Sequence, residues 1–296
     1  MFDMLQVAVD FASLPIRPDV FTIPSFDALG TTLGPFSLRW YSLSYIAAII
    51  GGWWLLARMI RLPGSPMTME NVDNFITWAT LGVILGGRLG YVIFYNPAEY
   101  IANPLAILRV WDGGMSFHGG AFGVIVGCFG FGWTNKVSGL RVLDYVATVS
   151  PLGLGLGRLA NFVNGELWGR PTGSDWGVIF PGAGPEPRYP SQLFEFALEG
   201  VVLLSILTLL FWGTRARLRP GLLAGVFGIG YGLSRFIVEF YREPDRQLGF
   251  LSTGLTMGQT LTLPLILAGI ILLLRALRIP PVALPPELAT AQTAAA

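Results

Sequence analysis

Residues 193–212 read LFEFALEGVVLLSILTLLFW, and residues 257–277 read MGQTLTLPLILAGIILLLRAL. A helix that crosses a bilayer needs roughly 20 mostly apolar residues in a row. Both stretches meet that length with almost no charge. Outward from them, five weaker stretches fit the same pattern, at about 41–58, 75–95, 115–133, 142–161 and 221–241. The third and fourth in chain order are glycine-rich. The expected fold is therefore an all-α polytopic membrane protein with seven transmembrane helices. The whole chain agrees: 53% of its 296 residues are hydrophobic and only 12% are charged, where an average soluble domain is about a quarter charged. Mean hydropathy is +0.60.

The same counts exclude several function classes. Net charge is +1 with no basic stripe, so nucleic acid is not an expected partner. A single cysteine, Cys128, cannot build a disulfide scaffold. One histidine, His118, and one cysteine cannot supply a usual zinc ligand set. No metal and no cofactor are expected. All basic residues but Lys136 are arginines, which keep their charge at depth and grip phosphate in a bidentate way.

Short-loop basic residues set membrane orientation. Arg58, Arg61, Lys136, Arg141, Arg215, Arg217, Arg219, Arg275 and Arg278 gather on one side. The other side carries longer loops of mixed sign, such as Arg109 with Asp112, and Arg242, Glu243, Asp245 and Arg246. The N-terminus is expected outside and the C-terminus in the cytoplasm. Three parts follow. Residues 1–40 form an extracytoplasmic arm, ordered or interfacial; Asp3, Asp10 and Pro15, Pro18 and Pro24 do not fit a signal peptide. Residues 41–277 form the seven-helix domain, with a small extracytoplasmic cap at about 162–192. The Pro/Ala-rich residues 278–296 read as a disordered cytoplasmic tail.

Two kinds of residue stand out within the spans. Gly82, Gly86 and Gly90 share one helix face, as do Gly119, Gly123 and Gly127; small residues four apart let helices approach closely in lipid. Charged residues are the other kind, each costing at least about 2.5–3.5 kcal/mol on insertion scales. They are Arg88, Arg158, Glu195, Glu199, Arg235 and Glu239, with Asp144 near a span end. Arg235 and Glu239 lie four apart on one face, and so do Glu195 and Glu199. Three arginines against three glutamates in one zone suggest a polar cavity, and clustered arginines suit a phosphate. At that depth the natural phosphate is a phospholipid headgroup. The densest segment is GRLANFVNGELWGR, 157–170, with Arg158, Asn161, Asn164, Glu166, Gly169 and Arg170.

That segment resembles the signature of the prolipoprotein diacylglyceryl transferase family. LRWYSLSY (38–45), GGRLGYVIFY (86–95), WDGGMSFHGG (111–120), YPSQLFE (189–195) and YGLSRFIVEFYREPD (231–245) resemble its other blocks in the same order. The likeness runs from about residue 38 to 277. The family often has His where Tyr189 stands and Tyr where Phe194 stands, so an imidazole at 189 is not essential to the chemistry here. The resemblance implies transfer of a diacylglyceryl group from phosphatidylglycerol to the lipobox cysteine of a prolipoprotein, forming a thioether and releasing glycerol phosphate. Implied partners are phosphatidylglycerol, the prolipoprotein signal peptide and membrane lipids. The implied place is the bacterial cytoplasmic (inner) membrane, with the site facing outward. The nucleophile belongs to the substrate, so Cys128 reads as packing.

By match to the family's motifs, Arg158 and Arg235 are expected to clamp the phosphate. Asn161 would bond the headgroup or hold Arg158. Glu166 and Glu239 would orient the arginines and could bind the glycerol hydroxyls. Gly169 would meet a need for positive φ or close approach. Tyr41 would orient the headgroup or the incoming thiol. His118 is the candidate general base; the alternative is an arginine field that lowers the thiol pKa. Arg88 is either structural or a second lipid contact. Gln192 and Glu195 would support the cavity, and Asp144 and Glu199 read as packing or interfacial. Two other classes compete with a transferase, a polytopic transporter and a non-catalytic phospholipid-binding protein, and neither would form a lipidated product.

Overall fold

The computed structural model describes residues 8–28, 31–95, 97–244 and 250–284. Asp3, the Asp245–Arg246 pair and the tail from residue 285 onward lie outside them. The helices are α1 (Trp40–Ile60), α2 (Met69–Phe94), α3 (Pro97–Ala102), α4 (Phe117–Thr134), α5 (Gly139–Val163), α6 (Ser191–Glu195), α7 (Leu203–Gly213), α8 (Leu222–Val238) and α9 (Met257–Arg278). A π-helical segment, Phe196–Val202, joins α6 to α7 without a break. Short strands are β1 (Val9–Asp10), β2 (Asp19–Ile23), β3 (Phe26–Ala28), β4 (Thr31–Leu33), β5 (Phe36–Arg39) and β6 (Val178–Ile179).

Five helical stretches are long and apolar enough to cross a membrane: 40–60, 69–94, 139–163, 191–213 and 257–278. The expected third and sixth spans are helices too, but they fall short of that measure. Glycine at 119, 120, 123, 127, 130 and 132 dilutes the apolar character of α4. The expected 221–241 stretch ends early at Val238, because Tyr241 N–H turns back to the Val238 carbonyl at 2.8 Å.

The chain divides into two compact units. One comprises Met1–Leu55, Thr148–Gly213 and Gly225–Leu273. Within it the arm is ordered. β1 runs parallel to β6, pairing Val9 with Val178. Phe11 is buried against Phe162 and Phe180, at ring-centroid distances of 5.7 and 5.5 Å. The arm is thereby fixed to the 162–192 segment. β2 and β5 form an antiparallel hairpin closed by the Asp19–Arg39 ion pair at 3.3 Å. Trp40 starts α1 directly after β5.

The other unit comprises Leu56–Ala147, Thr214–Ala224 and Leu274–Ala296. Its core is the α2–α4 crossing, and the expected glycine faces make it. A Cβ on Gly86 would sit 2.8 Å from Gly123 Cα, and one on Gly90 would sit 2.8 Å from Gly119 Cα. Neither distance is sterically possible, so the two backbones touch only because no side chain intervenes. Asp144, buried on α5, accepts the backbone N–H groups of Gly221 and Ala224 at 2.7 and 2.8 Å. It thus caps the start of α8, a packing role.

Arg88 also belongs here, and its place is structural. Its Nε donates to Ile107 O at 2.9 Å, Nη2 to Ala106 O at 2.6 Å and Arg109 O at 3.1 Å, and Nη1 to Gly114 O at 3.1 Å and to Gly113 O. Its five N–H donors meet five loop carbonyls, which shape the chain between α3 and α4. The second-lipid-contact alternative leaves Arg88 no donor to offer.

The crossing predicts a sharp contrast along α4. Gly123→Val forces apart backbones that meet at Gly82 and Gly86, at a cost of about 3 kcal/mol. Gly120→Ala places its methyl 3.6 Å from the nearest atom and should be tolerated. Thermal unfolding in detergent should lower the midpoint for the first variant and leave the second within a degree or two of wild type.

Candidate functional site

The site lies wholly within the first unit and begins with a backbone contact. Gly155 on α5 meets Gly200 in the π-helical segment: a Cβ on Gly200 would lie 2.8 Å from Gly155 Cα. That approach carries Glu199 to Arg158, one turn further along α5. Arg158 Nε and Nη2 lie 3.3 and 3.2 Å from Glu199 Oε2. Arg158 Nε also lies 3.3 Å from Glu195 Oε2. Two carboxylates from consecutive turns therefore hold one guanidinium.

Glu195 is the hub. Its Oε1 accepts from Arg235 Nη1 and, at 3.2 Å, from Arg242 Nη1. Arg235 Nη2 lies 2.9 Å from Glu239 Oε2. Three arginines and three glutamates form one neutral network. The burial is asymmetric: the Glu195 and Glu199 side chains have no exposed surface, while Arg158 and Arg235 keep 17% and 14% of theirs. The carboxylates stand behind and the guanidiniums in front. Among the described residues, Arg158 Nη1 has no protein partner and is not sealed from solvent. Such a donor is placed to meet an incoming anion.

The expected trio of arginines is corrected in one member. Arg88 is spent on loop carbonyls in the second unit, and Arg242, read as a loop charge, takes its place. Arg242 follows Arg235 by seven residues and Glu239 by three, a helical spacing that would have flagged it. Burial, then the like charge of Arg235, lowers the Arg242 pKa from its usual value, and Glu195 opposes this. Glu199 is a second correction, since it pairs with Arg158 and is more than packing. Tyr231, one turn before Arg235, lies within electrostatic reach of Glu199 and Arg158.

Around this network the 157–170 segment closes on itself. Asn161 Nδ2 donates to Glu166 Oε1 at 2.8 Å, so Asn161 holds Glu166 rather than Arg158. Gln192 Nε2 donates to Glu166 O at 2.7 Å. Gly169 has no positive φ; its requirement is space. A Cβ there would lie 2.5 Å from Tyr189 O and 2.6 Å from Tyr241 O. Arg170 Nε donates to Arg242 O at 2.8 Å and Nη2 to Glu239 O at 3.2 Å, which fixes the turn after α8. Tyr189 and Phe194 both pack against Tyr241, at 5.2 and 5.8 Å. The tyrosine at 189 is therefore a packing aromatic beside the network.

Tyr41 opens α1. Its hydroxyl pairs with that of Tyr45 at 3.2 Å and lies within electrostatic reach of Glu166 and Arg158. His118 belongs to the second unit, in the first turn of α4, with its ring edge-on to Phe117. Cys128 is fully buried on the same helix.

A family model described as prolipoprotein diacylglyceryl transferase matches residues 29–275. The chain belongs to the prolipoprotein diacylglyceryl transferase family. It is 50% identical over 272 residues to a phosphatidylglycerol–prolipoprotein diacylglyceryl transferase of Zymomonas mobilis, covering 92% of this chain and 95% of that protein. The proteins of the same name from Gluconacetobacter diazotrophicus and Rhodospirillum rubrum are 52% and 53% identical, over 90% and 88% of this chain and 96% of each relative.

The hub predicts a stability effect separate from any chemistry. Glu195→Ala leaves buried guanidiniums without their shared anion and should cost about 3–5 kcal/mol. Glu195→Gln keeps the shape and should cost less. Unfolding in detergent at neutral pH measures both, and equal midpoints for Glu195→Ala and wild type would remove Glu195 from the centre.

Proposed function

We propose that this protein transfers the sn-1,2-diacylglyceryl group of phosphatidylglycerol to the lipobox cysteine thiol of a prolipoprotein. The observation that carries the reading is the partly open guanidinium of Arg158, backed by sealed carboxylates, in a chain of this family. Thiolate sulfur attacks the glyceryl carbon that bears the phosphate ester. A C–S bond forms, the C–O bond breaks, and glycerol phosphate leaves with the electron pair. The departing group gains negative charge as the bond breaks. Arg158 and Arg235 stabilise that charge with donors already oriented by Glu195, Glu199 and Glu239, so little reorganisation is needed at the moment of reaction. Arg242 tightens the same hub.

Asn161 and Glu166 would present amide and carboxylate to the headgroup, with Gly169 giving the backbone room to close beside them. Tyr41 would orient the headgroup or the thiol. For the thiol proton, the family resemblance points to His118, a reading that rests on the sequence. Seven helices spanning a bacterial inner membrane, with the N-terminus outside, the C-terminus in the cytoplasm and the arginine network toward the outer face, complete the proposal. The clustering of short-loop arginines supports that orientation.

The direct test combines purified protein, phosphatidylglycerol and a synthetic lipobox peptide, read by mass spectrometry for a diacylglyceryl adduct on cysteine. Wild type should form it, and Arg158→Ala should lose at least about a hundredfold in rate, the scale of one lost transition-state donor. Arg158→Lys should not restore it, since an ammonium lacks the planar fork. No adduct from folded, lipid-bound wild type would sink the transferase. For His118→Gln, the expected result is a lower rate and a rate profile that no longer falls off where the base becomes protonated. An unchanged rate and profile would remove His118 from the chemistry.

A further inference from the structure

The first unit contains a cleft of about 700 Å³ that the phosphate chemistry does not use. Its walls are the arm (Leu14, Ile16, Val20), the entry to α1 (Trp40) and the exit of α5 (Val163). The helical walls adjoin the site on both sides. Trp40 immediately precedes Tyr41, and Val163 stands between Asn161 and Glu166. The arm's wall is built in advance, because Phe11 and the β1–β6 pairing fix it to the 162–192 segment. Residues 12–20 of that wall lie upstream of the stretch the family model matches.

The cleft has the features of a peptide groove. Leu14, Ile16, Val20, Trp40 and Val163 offer apolar contact, while Arg17 and Asp19 stand at its lining. β2, which contributes Asp19 and Val20, is paired on one edge only among the described residues, by β5. An open strand edge presents unpaired N–H and C=O groups, which an extended polypeptide satisfies and an acyl chain does not. The proposed reaction brings such a polypeptide. Its cysteine must reach the arginine network while the chain on either side continues. The upstream part is an apolar signal segment suited to lipid; the downstream part has to leave the site along the protein.

We propose that this cleft binds the residues immediately after the acceptor cysteine, in extended form along β2. The inference rests on the transferase reading. It makes the arm a specificity element for the polypeptide substrate and gives it no part in binding phosphatidylglycerol.

Two lipobox peptides test it, one ending at the cysteine amide and one continued by four residues. For wild type, the longer peptide should have a KM lower by about tenfold, the worth of burying one or two small apolar side chains. Val20→Trp, which fills the cleft, should raise the longer peptide's KM to that of the shorter one. It should leave kcat, the shorter peptide's KM and the KM for phosphatidylglycerol unchanged. Equal KM values for the two peptides in wild type, or an unaffected longer peptide with Val20→Trp, would overturn the proposal. Photo-crosslinking needs no turnover and keeps the two readings apart. A benzophenone two residues after the cysteine should mark residues 14–20, even with Arg158→Ala. Marking of lipid or of other protein segments would refute the cleft, whatever the transfer assay shows.

Discussion

Everything at the site depends on one buried carboxylate. Glu195 has no exposed side-chain surface, yet it contacts Arg158, Arg235 and Arg242. A lone anion at that depth would be prohibitive, and so would three lone cations. Together with Glu199 and Glu239 they cancel, and the cancellation makes a cationic front tolerable inside a protein this apolar. The network gives modest net stability for its parts, since desolvation offsets much of the attraction. What it supplies is direction. Arg158 and Arg235 are held from behind by carboxylates with no exposed surface and keep part of their own surface open.

Backbone contact brings the charges together. Gly155 and Gly200 set α5 against the π-helical segment, and the second unit repeats the device where Gly86 and Gly90 face Gly123 and Gly119. In lipid, helices gain little from burying apolar side chains against each other, so close van der Waals fit does more of the work. The π-helical winding of 196–202 adds a local adjustment. At about 3.6 residues per α-turn, residues four apart drift around the helix by roughly 40°. A wider turn alters that drift, and both Glu195 and Glu199 reach Arg158. Such segments are frequent at functional sites.

The parts legible in the sequence were those with a period or a cost. Long apolar runs gave the helices, four-residue glycine spacing gave the α2–α4 crossing, and buried charges gave five of the six network members. What escaped had neither mark. β1 and β6 are two residues each, too short for any alternation, so the docking of the arm onto 162–192 could not be read. Arg88 carried the same apparent cost as Arg158, but its partners are main-chain carbonyls 18 to 26 residues away, and carbonyls leave no trace in composition. Arg242 was obscured by its charged neighbours Glu243 and Asp245, which make the stretch look like an ordinary polar loop. Of the two needs a glycine at 169 can meet, positive φ or close approach, the structure has the second, against the carbonyls of Tyr189 and Tyr241.

The neutrality of the network has a consequence for binding. A phosphodiester brings one negative charge to a set of three cations already matched by three anions. It cannot be attracted by net charge and must be recognised locally, by donors the carboxylates leave unused. In the proposed function Arg158 would meet that requirement, since Nε and Nη2 face Glu195 and Glu199 and Nη1 is left unused by them. Selectivity then comes from geometry more than from field strength: an anion gains only where it reaches those donors without displacing a glutamate. A network of arginines alone would bind any anion and be costly to bury. One matched charge for charge, with a single partly open face, favours a ligand whose phosphate is delivered to that face at a fixed depth, as a lipid headgroup is.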